Sequence, residues 1–112
     1  MLRMSRVGPA GWTILSNHGH VLVALSADPE VTMRDVAAQV GITERAVQMI
    51  VRDLEDGGFI VRQRVGRRNH YTVVQQGRFR HSLEDGVRVG DFLALVNDAS
   101  SSRRLSGPLS GP

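Results

Sequence analysis

Arg45, Gln48, Met49 and Arg52 recur at a spacing that puts them on one side of a helix turning 100° per residue. Ala46, Val47, Ile50 and Leu54 fall on the other side. Two guanidinium forks, an amide and a flexible apolar group are the chemistry that reads base edges in a major groove. Arg pairs with guanine, Gln with adenine, and apolar atoms meet the thymine methyl. The N-terminal half of such a helix enters the groove, so Glu44, Arg45, Gln48 and Met49 are candidate base contacts and Arg52 a candidate phosphate contact. Thr43 is a good N-cap, and its hydroxyl can donate to a phosphate at the helix N-terminus. Charged helix faces are common, so this face takes its meaning from what flanks it.

A second cationic element follows immediately. From Gly57 to Arg80 there are six arginines and no acid. Arg62 and Arg64 alternate with Val61, Gln63 and Val65, which puts both arginines on one strand face. Gly66 supplies turn geometry, and Arg67, Arg68 and Asn69 occupy the tip, with His70 beside them in reach of a phosphate. Tyr71 and Val73 share a face of the return strand and are expected to pack on the helices. Such a hairpin can straddle a phosphate ridge or insert Arg into a narrow minor groove. Charge can also protect a sheet edge from aggregation, but that does not require six like charges.

The elements that position these groups are legible in the same way. Ser16 or Asn17 caps a first helix to about Ala27 with His18, Val21, Leu22 and Leu25 on its face, and Asp28-Pro29 stops it. Val31-Thr32 is read as a short strand. Thr32 caps a second helix whose Met33, Val36, Ala37 and Val40 repeat at i, i+3, i+4 and i+7, and Gly41 ends it. The third helix runs from about Glu44 to Asp56, and Gly57-Gly58 breaks it. Two strands are expected near 59–64 and 70–74, then a connector from Gln76 to Ser82. The charge run Asp53, Glu55 and Asp56 reads as solvated. The expected core is Leu22, Leu25, Val36, Ala37, Val40, Ile42, Val47, Ile50, Leu54, Ile60 and Tyr71.

A last helix is expected between Leu83 and Asn97, with a kink or a late start because Gly86 and Gly90 weaken its first turns. Val89, Phe92, Leu93 and Val96 repeat its apolar stripe, which a domain of this size has no internal use for. With Trp12 and Leu15 they are the expected homodimer interface. Residues 1–10 read as a flexible basic arm, 11–97 as the folded domain, and 98–112 as a disordered Ser, Gly, Pro and Arg tail.

The 112 residues suffice for one domain with one core, and 41% hydrophobic with 22% charged content is globular. All fourteen basic residues are Arg, which forks onto phosphate and guanine where Lys is a point charge. The absence of cysteine excludes disulfides and thiolate metal sites. The four histidines form no chelating cluster, so no metal and no cofactor is expected. No Ser/His/Asp pattern, phosphate loop or paired acids point to an enzyme. No apolar run approaches the roughly 20 residues of a membrane span, and Met1 to Arg6 lacks a signal-peptide core. A cytoplasmic, nucleoid-associated protein without membrane contact is expected.

The segment VTMRDVAAQVGITERAVQMIVRDLEDGGFIVRQRVGRRNHYTV, residues 31–74, resembles the winged helix-turn-helix of MarR-like and ArsR-like bacterial transcriptional regulators. The helix from 17 fits the same fold. The resemblance implies an α+β, mostly α architecture: a three-helix core, a two- or three-stranded β wing and a C-terminal helix. It implies Thr43, Glu44, Arg45 and Gln48 at groove-facing positions and Arg67 and Arg68 on the wing tip. It also implies a homodimer on double-stranded DNA. In so short a chain, a pocket for a small-molecule effector could exist only between the dimer helices and the winged domain. Two departures stand out. ArsR-type metal sensors commonly use cysteines, absent here, and MarR-type terminal helices are usually longer than both ends of this chain suggest. A winged helix that docks on a larger protein assembly is the alternative, but that role has no need of a phosphate-matching stripe.

Overall fold

The computed structural model describes the backbone of residues 11–110 and the side chains of residues 11–100. The expected basic arm lies outside the described residues. Helix α1 spans Asn17–Ala27, α2 Met33–Val40, α3 Glu44–Asp56 and α4 Val89–Ser110, with strands β1 Ile60–Val65 and β2 Arg68–Val73 between α3 and α4. Among the described residues this is four helices and one two-stranded antiparallel sheet, a winged helix-turn-helix.

Local chemistry places the helix ends. Thr32 Oγ1 accepts from the Asp35 amide and Thr43 Oγ1 from the Ala46 amide, each at 3.0 Å, so both caps read from sequence are in place. Ser16 caps α1 more loosely, accepting from the Gly19 amide at 3.5 Å. Gly41 ends α2 at φ +87°, a left-handed conformation that side-chain-bearing residues pay to adopt. Its amide and that of Ile42 both return to the Ala37 carbonyl, at 2.8 and 3.1 Å, closing the helix and turning the chain into α3.

The core joins α1, α2, α3, the base of the wing and the start of α4 through Val21, Leu25, Val36, Val47, Ile60, Tyr71, Val89 and Leu93. All the expected core residues are buried except Val40 and Ile42, which are half-buried against its edge. Val31, Val51 and Val73 are buried as well, Val73 as its strand face predicts.

Three expectations are corrected. Val31-Thr32 is not a strand; the contact in that region is made by the Pro29 carbonyl, which accepts from the Tyr71 amide at 2.9 Å. The hairpin turn is three residues shorter than expected, with Val65 paired to Arg68 across Gly66 and Arg67, so Arg68 and Asn69 belong to β2 rather than to the tip. Helix α4 begins late, as foreseen, since Val89 and Gly90 amides donate to the Gly77 and Gln75 carbonyls and so satisfy its first turn from outside. It then runs on to Ser110, through the segment read as a disordered tail from Asp98 and well past the short end expected. Asp98 to Ser106 contains neither Gly nor Pro, and a nucleated helix extends at the cost of one residue per hydrogen bond.

Candidate nucleic-acid interface

Helix α3 is two-faced. Val47, Ile50, Val51 and Leu54 are buried, while Glu44, Arg45, Gln48, Met49 and Arg52 are exposed. Met49 leaves 62% of its surface in solvent, so its flexible apolar end is accessible on this edge. The helix opens on Thr43, whose hydroxyl oxygen takes the Ala46 amide and whose proton stays available to a donor-seeking oxygen. These five exposed side chains and the cap form one continuous exposed edge, polar but for Met49, as the spacing predicts.

The wing is arranged less simply. Directly opposed residues of an antiparallel pair share a face. The register Ile60↔Val73, Arg62↔Tyr71 and Arg64↔Asn69 therefore puts Arg62 and Arg64 on the face that carries the buried Ile60, Tyr71 and Val73. The outer face carries Val61 and Val65, 51% and 58% exposed, with Gln63, Arg68, His70 and Thr72. The arginines thus sit on the core-facing side of the hairpin, beyond the end of the core. Ile60 lies two residues before Arg62, so the sequence does carry this signal.

Acids from outside the hairpin reach two of its arginines. Arg62 Nε lies 3.2 Å from Glu55 Oε2, and Arg68 Nη1 lies 3.8 Å from Glu30 Oε1. Arg64 Nε donates to the Gly66 carbonyl at 3.4 Å. Arg67 at the tip is exposed and has no hydrogen-bond or ion-pair partner among the described residues. Asn69 and His70 are half-buried, and the His70 Nδ1 atom is buried without a hydrogen-bond partner among the described residues, so that nitrogen is not turned outward. The hairpin is acid-free in sequence but not in space. Nor are Asp53 and Glu55 merely solvated: Asp53 Oδ2 lies 2.9 Å from His18 Nε2, and Glu55 holds Arg62.

The expected dimer residues divide. Val89 and Leu93 are buried in the chain's own core, and Phe92 is half-buried with its ring edge-on to Phe79 at 5.3 Å. Val89 and Leu93 are therefore unavailable to a partner: the domain does use most of this stripe internally, because the connector and α1 leave a gap that α4 fills. Val96 and Leu15 are half-buried, and Trp12 is exposed. Ile14, within the Trp12 to Leu15 segment, is exposed, and so is Leu95, 72% exposed, which lies off the expected stripe. An open cavity of about 700 Å³ separates the segment before α1 from α3 and α4, with Ile14, Phe59, Phe79 and Phe92 among its walls and His18 and Arg80 at polar positions. Among the described residues no helix is long and apolar enough to cross a membrane.

Three helices, a recognition-type helix with a polar outer edge and a cationic hairpin define a winged-helix DNA-binding protein. Residues 13–68 match the model of the MarR family, which spans half of the chain. The chain belongs to that family, whose members are DNA-binding transcription regulators and not enzymes. A solved MarR family protein of Mycobacterium tuberculosis, in complex with salicylic acid, aligns over 93% of this chain and 73% of its own length, at 25% identity and a TM-score of 0.49. No curated protein matches the chain.

Proposed function

We propose that this regulator reads a specific duplex sequence with α3 in the major groove and rests its wing tip on the backbone or in the adjacent minor groove. The observation that carries the reading is the outer edge of α3. Arg45, Gln48, Met49 and Arg52 are exposed together on a helix whose opposite side is locked into the core. A rigid helix presenting two forks, an amide and an apolar group matches base-edge chemistry. Arg67 and Arg68 supply the sequence-independent attraction to phosphate. Such a protein does its work at the nucleoid.

The protein acts as a homodimer, built from the exposed apolar groups of the terminal segments, Trp12, Ile14 and Leu95, with Leu15 and Val96 beside them. Two-fold symmetry then presents two copies of α3 to half-sites about one helical turn apart. The cavity beside α4 suits a small-molecule effector with an apolar body and a polar end, given its aromatic walls and its His18 and Arg80. The test is enrichment of bound duplexes from random sequence, followed by titration of enriched and scrambled duplexes across salt concentrations. A shared motif with two-fold half-sites, and affinity that falls steeply with salt, are the expected results. Equal affinity for enriched and scrambled DNA would remove the sequence-reading role.

A further inference from the structure

The joint between α3 and β1 consists of Gly57, Gly58 and Phe59, and Gly58 adopts φ +82°. The Gly57, Gly58 and Phe59 amides donate back to α3 and close this joint, and Ile60, Tyr71 and Val73 are buried, so the base of the wing is held and only the hairpin beyond it is left for side chains to steady. One ion pair spans the joint. Glu55, in the last turn of α3, meets Arg62 of β1 at 3.2 Å. Glu55 is the more enclosed partner, with a quarter of its side chain exposed. Arg62 stands across the ladder from the buried Tyr71, on the inner side of the hairpin. A guanidinium on that side, already holding a carboxylate of α3, is poorly disposed to meet a phosphate.

We propose that Arg62 is a positioning residue: with Glu55 it forms a strut across the two-glycine joint and sets where the wing tip meets DNA relative to α3. The inference rests on the DNA-binding reading and adds a division of labour to it. Arg67 contacts the nucleic acid, and Arg62 acts through the angle of the hairpin. Removing either end of the strut loosens the outer part of the hairpin, beyond the buried Ile60, Tyr71 and Val73, so binding loses preorganisation without losing a phosphate contact. The two ends must then be energetically coupled, whereas a phosphate-binding Arg62 would be independent of Glu55.

The experiment uses the full chain and a duplex enriched by the wild-type protein. Affinity and its salt slope are measured for Glu55→Gln, Arg62→Gln, the double variant, the exchange Glu55→Arg with Arg62→Glu, and Arg67→Ala, with melting temperatures of each. Expected for the strut are similar losses of about threefold to fivefold in both single variants. The double variant should be no worse than either, the exchange should recover part of the affinity, and the salt slope should not change. If Arg62→Gln instead lowers the slope by about one phosphate while Glu55→Gln leaves affinity equal or higher, Arg62 is a direct contact and the strut is wrong. Losses that follow the melting temperatures and vanish when the folded fraction is held equal also overturn it. Arg67→Ala keeps the two readings apart: if it leaves the slope unchanged, the failure belongs to the proposed wing contact with DNA rather than to the strut.

Discussion

The Tyr71 amide donates to the Pro29 carbonyl at 2.9 Å, which hangs the return strand of the wing on the loop between α1 and α2. The Tyr71 side chain is itself buried against α1 and the core. Backbone and side chain of one residue thus anchor the wing to the body, far in sequence from the helix that anchors its other strand. Tyr71→Ala should cost about 3–5 kcal/mol, as large aromatic truncations in cores do. Chemical denaturation measures this directly. A loss under 1 kcal/mol would mean that the wing is not part of the cooperative unit.

Gly41 has nothing within 4 Å of where a Cβ would stand, so its replacement tests backbone conformation alone. Gly41→Ala should destabilise by about 1–2 kcal/mol through the left-handed backbone it must keep. Thermal melts at matched protein concentration give the value. An unchanged melting temperature would show that the turn between α2 and α3 relaxes to another conformation.

Val47 is fully buried where α3 meets the core. An unpaired carboxylate there has no solvating partner, and Val47→Asp should leave the domain unfolded at room temperature. Circular dichroism and a urea titration suffice. Cooperative unfolding near the wild-type midpoint would contradict the packing of α3.

The interface variants should separate two kinds of contact. Arg67→Ala with Arg68→Ala should weaken binding to enriched and scrambled duplexes alike and flatten the salt dependence. Gln48→Ala should cost on the order of 1–3 kcal/mol on the enriched duplex only. A fourfold Ala variant at 45, 48, 67 and 68 that binds as well as wild type would remove this face from the DNA-binding role.

The dimer is tested at exposed positions, because changing Leu93 would damage the core. Ile14→Asp with Leu95→Asp should shift sedimentation from dimer to monomer while leaving the melting transition cooperative. A wild-type chain that sediments as a monomer at tens of micromolar would take the dimer out of the reading.

Period and punctuation in the chain suffice for much of this. Thr32, Thr43 and Gly41 act within one turn of themselves, so their roles as caps and stop are local and readable. The division of α3 into a buried and an exposed edge follows from helical geometry alone, and so does the exposure of Arg45, Gln48, Met49 and Arg52. What tertiary structure decided are the relations between segments distant in sequence. Val89 and Leu93 look like a spare stripe until the connector and α1 leave a gap for them. Arg62 and Arg68 look like unopposed charge until folding brings Glu55 and Glu30 beside them. Asp53 finds His18, and the Tyr71 amide finds Pro29, only when α1, α3 and the wing converge. Local rules act through neighbouring backbone atoms and are written in spacing. Contacts across the core depend on how whole elements stack, and spacing within one element carries no record of what the next one presents to it.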